Sequence, residues 1–315
     1  MPAIEIIGLE KTYHVGFWRS RAKRALHPFD LSVTEGEIFG FLGPNGAGKT
    51  TTLKLLMGLV FPTAGTARIL GMGLDDPRMK AQIGFLPEQP YFYDHLTARE
   101  LLTYYGQLSA VNSRELPAKV SAALEQVKLT ESANIQLRKF SKGMLQRAGI
   151  AQAILHDPKV VFLDEPMSGL DPMGRREVRN LIEGLKAAGK TVFFSTHILS
   201  DAEALCDRVA ILHQGELRGV GAVADLTASV HGNVEIVWHG TRIPPAINPL
   251  LKECHAAAET MRVVVADSSQ DAVLDGLRRE GLRLISVTPV RTSLEDYFVA
   301  QLGKQENVET VSLTT

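Results

Sequence analysis

The sequence predicts an α/β protein whose main domain is organised around a phosphate-binding loop, and three observations carry that expectation. The stretch "GEIFGFLGPNGAGKTTTLKLLMGLV" runs from an apolar segment, Ile38 to Leu42, through a glycine-rich turn into apolar positions Leu53, Leu56, Met57 and Val60 at helical spacing. Two short apolar runs, "VVFLD" and "TVFFST", flank a helical pattern from Pro172 to Ala188, which is the βα repeat of a parallel sheet. Between these regions, from about residue 91 to residue 155, Leu, Ala, Glu, Lys and Gln recur with helical periodicity and little strand signal, so a helical subdomain is inserted there.

At 315 residues, with 45% apolar content, the chain has the length of about two domains and enough material for a sizeable core. The formal net charge of -1 provides no global basic field, so no nucleic-acid partner is expected. The only cysteines, Cys206 and Cys254, lie in no metal-ligand or CxxC pattern and suit a reducing compartment, the cytosol. The first residues, "MPAIEIIGLEK", are acidic where a signal peptide is basic, and no apolar run approaches the ~20 residues that span a bilayer.

In chain order, alternating apolar and polar residues predict strands over Ile4 to Tyr13 and Ala25 to Glu37, joined by "HVGFWRSRAKR". That connector, with Phe17 and Trp18 beside Arg19, Arg21, Lys23 and Arg24, reads either as a solvated hairpin tip or as a contact for anionic lipid. The phosphate-loop domain extends over residues 1–225. Beyond it the texture changes: "NVEIVWH", "MRVVVAD", "QDAVLDGLRREG", "LRLISVTPV" and "SLEDYFVAQL" predict strand, strand, helix, strand, helix, a small α/β domain over residues 226–303. Residues 304–315 have little apolar pattern and are expected to be a disordered tail.

The loop Gly43, Pro44, Asn45, Gly46, Ala47, Gly48, Lys49, Thr50, with Thr51 following, satisfies the P-loop pattern in the strand–loop–helix context that makes it informative. Its glycines let backbone amides curl around phosphates at a helix N-terminus. Lys49 reaches the β and γ phosphates, and the Thr50 hydroxyl can ligate Mg²⁺. "VVFLDEP" places Asp164 at the C-terminal end of a buried strand, where it can hold Mg²⁺ through water, and Glu165 next to it, placed to polarise an attacking water. A solvated Asp-Glu pair is the alternative, and the phosphate loop weighs against it. "TVFFSTH" ends in His197, a residue that is structural or, beside a phosphate loop, placed to meet a γ-phosphate. In "KFSKGMLQR", Ser141 precedes a helical pattern and reads as its N-cap.

The ordered set Tyr13, "GPNGAGKT", Gln89, "FSKGM", "VVFLDEP", "SGLD" and His197 resembles the ATP-binding subunit of ABC transporters, over residues 3 to about 220. The resemblance implies a P-loop NTPase of ABC type: a mixed central sheet with an antiparallel β subdomain, the inserted helical subdomain and the small C-terminal α/β domain. It implies ATP and Mg²⁺ as cofactors, Tyr13 stacked on adenine, Gln89 bridging Mg²⁺ and the membrane-subunit contact, and Glu165, His197, Gln89 and Lys49 as the catalytic set. It also implies that Ser141 and Gly143 bind the γ-phosphate of ATP held by the other subunit, with Asp171 at the dimer seam. Phe140, Lys142 and Met144 depart from the usual Leu, Gly and Gln of that signature.

The partners implied are a separate transmembrane permease and a second ATPase subunit, identical or related, with the chain peripheral on the cytoplasmic face of the inner membrane. The aromatic stretch "PYFYDHLTARELLTYYGQL" falls where the family receives the permease's coupling helix, and the small C-terminal domain resembles that of the branch exporting drugs, antibiotics, sodium or polysaccharides. The competing class is an ABC-superfamily ATPase acting on ribosomes or DNA. Such proteins carry two cassettes or long coiled coils, and neither occurs in this sequence.

Overall fold

Alternating side chains near the N-terminus build a long antiparallel ribbon of β1 (Pro2–Val15) and β2 (Arg21–Thr34), with Ile4, Ile6, Leu9, Leu26, Leu31 and Val33 turned inward. In the computed structural model, residues 1–15, 21–227, 233–290 and 293–298 are described. The chain divides into two units, Met1–Ala222 and Val223–Thr315. The ribbon runs further towards its tip than the alternation suggested: Tyr13 pairs with Lys23 and Val15 with Arg21. Both faces are solvated there, so polar residues continue the ladder without breaking a buried pattern. Lys23 and Arg24 therefore belong to a strand, while Phe17, Trp18 and Arg19 lie outside the described residues. At its other end β2 stops at Thr34 rather than Glu37, because Gly36 turns the chain at φ +78°.

Next come β3 (Ile38–Leu42) and α1 (Lys49–Leu56), then β4 (Ala64–Ile69) and β5 (Met72–Gly73), which complete the antiparallel sheet in the order β2-β1-β4-β5. A short α2 (Pro77–Lys80) leads into β6 (Ile83–Leu86). The helical subdomain follows as α3 (Ala98–Leu108), α4 (Leu116–Gln126) and α5 (Lys142–Ile154). Thr97 and Glu100 start α3 with a reciprocal capping box, and Leu101, Leu102, Val120, Leu124, Leu137 and Ala151 form a core of their own.

The chain then returns to the main sheet through β7 (Val160–Asp164), α6 (Pro172–Ala187), β8 (Thr191–Thr196), α7 (Leu199–Leu205), β9 (Arg208–His213) and β10 (Glu216–Ala222). The order is β10-β9-β3-β8-β7-β6, parallel from β9 to β6, with β10 antiparallel at the edge. Every residue of β3, β7 and β8 is buried, as continuous apolar strands covered on both faces must be. Phe39 stacks on Phe193 at 5.5 Å between ring centroids, and Phe162 packs against Phe193 at 5.7 Å. Three neighbouring parallel strands thus release their following loops at one edge, where such sheets bind ligands.

The second unit opens with α8 (Val223–Leu226) and contains β11 (Asn233–His239), β12 (Leu251–Ala257), β13 (Thr260–Ala266), α9 (Gln270–Arg279) and β14 (Leu284–Pro289). Its antiparallel sheet has the order β12-β13-β11-β14, and Val273 and Leu277 of α9 pack with Trp238, Ile236 and Val263. Residues 294–298 are helical, with Ser293 and Asp296 bonded reciprocally at the start. Strand β12 is absent from the sequence expectation. It is an edge strand in which every residue but Leu251 is exposed, so "LKECHAA" carries no buried alternation to read. The expected tail at 304–315 lies outside the described residues.

Candidate functional site

The glycines of the loop after β3 are required by contact as well as by conformation. A Cβ on Gly43 would stand 2.2 Å from the Leu212 carbonyl oxygen, and one on Gly48, at φ +110°, would meet Leu26 and the Ala25 carbonyl. The loop therefore packs tightly against Leu212, Ala25 and Leu26, and α1 begins directly at Lys49. Lys49 is buried. Its Nζ donates to the Gly43 carbonyl at 2.7 Å and lies 3.3 Å from Oε1 of Glu165.

β7 delivers the two carboxylates. Thr50 Oγ1 donates to Asp164 Oδ2 at 3.0 Å, and Ser195 Oγ on the adjacent β8 donates to Asp164 Oδ1 at 2.5 Å. Directly after the strand, Glu165 adopts a left-handed backbone, φ +49°, uncommon for a residue with a side chain. Its amide donates to Ser195, and the turn aims its carboxylate at Lys49 and His197, whose Nδ1 is 2.9 Å from Oε2. Among the described residues, the buried Oε1 of Glu165 accepts no hydrogen bond, and the Lys49 ammonium lies 3.3 Å from it. A buried acceptor left open beside a phosphate loop suits a donor such as a water molecule.

The surrounding cleft, about 680 Å³, is lined by Tyr13, Asn45, Gly46, Gly48, Lys49, Thr50, Thr51 and Glu165. It also takes in Lys23, Arg24, Glu88 and Gln214, which sequence reasoning did not nominate. The register across the ribbon was the available signal for Lys23, which stands directly opposite Tyr13. Lys11 Nζ lies 4.9 Å from the Tyr13 ring centroid and donates to the Phe61 carbonyl. Among the described residues no group of three or more His, Cys, Asp or Glu could hold a metal by itself. A hydroxyl and a single carboxylate converging on a phosphate site nevertheless fit Mg²⁺, which keeps waters and phosphate oxygens as most of its ligands.

The other expected residues lie elsewhere. Ser141 caps α5, its Oγ accepting from the Met144 amide at 3.3 Å, and Asp171 caps α6 by accepting from the Gly174 amide at 2.8 Å. Both caps line a separate recess of about 360 Å³ with Gly143, Lys142 and Gly169. Gly169 sits at φ +66°, and Lys142 Nζ occupies the place its Cβ would take. The other two departures in the signature have a packing explanation: Phe140 is buried in the helical subdomain's core and Met144 packs against it.

Gln89 does not line the cleft. It lines a groove of about 820 Å³ with Phe85, Tyr91, Phe92, Tyr105, Leu108 and His156. Of the aromatics in that stretch, Tyr91 lines the groove at 88% exposure, and Tyr93, outside the lining, is 54% exposed. Among the described residues, no helix is long and apolar enough to cross a membrane.

Comparison with known proteins assigns this geometry to a family. Residues 26–168 match the family model described as ABC transporter. An uncharacterised ABC transporter ATP-binding protein of Synechocystis is 44% identical over 304 residues, 96% of this chain and 85% of its own. A Nod factor export ATP-binding protein of Rhizobium etli is 32% identical over 311 residues, covering 97% of this chain and 95% of its own. Among solved structures, a dimeric ATP-binding cassette in a post-hydrolysis state with ADP and phosphate superposes with a TM-score of 0.63 at 27% identity, over 70% of this chain and 98% of that one. On these similarities this chain belongs to the ABC transporter family as an ATP-binding subunit and ATP hydrolase.

Proposed function

We propose that this chain powers export through a separate membrane permease, with two ATPase subunits closing head to tail over two ATP molecules. The carrying observation is that the cleft of the phosphate loop and the recess of Ser141 and Gly143 share no residue. Each is half of a nucleotide site: one offers amides, Lys49 and the carboxylates, the other a helix N-terminus with an exposed hydroxyl. A two-fold arrangement completes both halves at once, burying two nucleotides at the seam with Asp171 beside them. The dimeric state of the post-hydrolysis neighbour and the export role in the Rhizobium relative's name support this reading.

Within each site Tyr13 stacks on the adenine, the loop Gly43 to Thr51 cradles the phosphates, and Lys49 meets the β and γ oxygens. The Thr50 hydroxyl and, through water, Asp164 would hold Mg²⁺, with Gln89 joining them only on leaving the groove side of its loop, and the ion would neutralise charge on the phosphates. Glu165 orients the attacking water and accepts its proton, while His197 holds the carboxylate in place and reaches the γ-phosphate. The groove beside Gln89 takes a short helix of the permease, which keeps the chain on the cytoplasmic face of the membrane.

Light scattering tests the shared site. Glu165→Gln protein should shift from monomer to dimer on adding Mg-ATP, and Ser141→Arg in that background should remain monomeric, because it places bulk at the seam. Unchanged ATP-dependent dimerisation in the double variant would remove Ser141 from the interface.

A further inference from the structure

Two adjacent residues after β6 face opposite ways: Glu88 lines the phosphate cleft and Gln89 lines the groove. The side-chain oxygen of Gln89, its only oxygen donor for a cation, is engaged on the groove side, where it accepts a hydrogen bond of 3.0 Å from the Tyr91 hydroxyl. Tyr91 is 88% exposed, so little packing fixes its ring. A ring of that size standing open beside apolar neighbours is the first surface that a helix entering the groove would cover.

We propose that Tyr91 is a positioning residue: its hydroxyl holds Gln89 on the groove side of the loop, away from the nucleotide's Mg²⁺, until the groove is filled. The proposal rests on the reading of Gln89 as a metal ligand and of the groove as the permease's dock. Filling the groove moves the phenol, breaks the bond and releases Gln89 to the cleft, so the occupancy of one site is communicated to the other through a single side-chain contact. By linkage the same contact makes a metal-loaded nucleotide site favour a filled groove. One exposed hydrogen bond shifts such a balance by about two- to fivefold.

Tyr91→Phe removes the hydroxyl and keeps the ring. In the full chain carrying Glu165→Gln, binding of a fluorescent ATP analogue is titrated against Mg²⁺, and turnover is followed in parallel in the chain with Glu165 intact. Tyr91→Phe should lower the Mg²⁺ concentration for half-maximal binding by about two- to fivefold, and the effect should vanish when Gln89→Ala is also present. If Gln89→Ala raises the Mg²⁺ requirement while Tyr91→Phe leaves it unaltered, the latch is overturned and the metal role of Gln89 stands. Should Gln89→Ala change neither binding nor turnover, the metal role falls and the latch with it. An effect of Tyr91→Phe that persists in the Gln89→Ala chain also overturns the latch, because the phenol then acts through another group.

Discussion

Nδ1 of His197 lies 2.9 Å from Oε2 of Glu165, joining the residue after β8 to the residue after β7. The second oxygen of the same carboxylate faces Lys49 Nζ at 3.3 Å. Glu165 is thereby held from two sides on a left-handed backbone, with little freedom to rotate. Such a carboxylate presents a fixed lone pair to a water rather than searching for one.

Glu165→Gln keeps the shape and loses the base, so it should retain ATP binding while turnover falls by roughly 10² to 10⁴-fold. His197→Ala releases one oxygen only and should cost about tenfold or more, with ATP affinity nearly kept. Lys49→Ala should lose binding as well. Steady-state kinetics with a separate nucleotide-binding titration distinguish the three, and turnover of Glu165→Gln within a few-fold of the parent would take Glu165 out of the base role.

Lys142 stands at the first position of α5, where a cation opposes the helix dipole by about 0.3 to 1 kcal/mol. Among the described residues it forms no ion pair, and its ammonium lies over Gly169 in the recess of Ser141 and Asp171. If that charge serves the partner's triphosphate, Lys142→Gly should raise the ATP concentration for half-maximal turnover at low salt, and the difference should shrink as ionic strength rises. Identical ATP curves for parent and variant at low salt would make Lys142 a solvated spectator.

Burial holds the His156 imidazole below its ordinary range, outweighing the opposing hydrogen bond between Nε2 and the Ile83 carbonyl; Lys190, Asp157 and Lys119 act on it more weakly. The unfolded chain therefore takes up a proton before the folded one does. The resulting stability is fully present above the ordinary imidazole value of about 6.5 and is lost as pH falls through the lower folded-state value. Thermal unfolding between pH 7.5 and 5 should fall more steeply in the parent than in His156→Gln. Parallel curves would assign the acid sensitivity to other groups.

The sequence by itself determined the parts that rest on local pattern. A glycine-rich turn carrying Lys49 and Thr50 between an apolar run and a helix reads as a phosphate loop, and apolar strands with Asp164 at the end of one and His197 directly after the other place both at the ligand edge of a parallel sheet. Ser141 was legible as a cap because capping is decided within four residues, whereas the cap that Asp171 forms on α6 was not read from the sequence. Tertiary structure decided what depends on neighbours distant in the chain: the hold of Lys49 and His197 on Glu165, the presence of Lys23 and Glu88 in the cleft, and the seating of Lys142 over Gly169. It also turned Gln89 towards Tyr91, and it formed β12 from residues with no buried face. The physical reason is common to all of these. Periodicity and caps report how a segment's own backbone is satisfied, whereas the direction of a loop side chain is set by whichever partner the folded chain brings within hydrogen-bond reach.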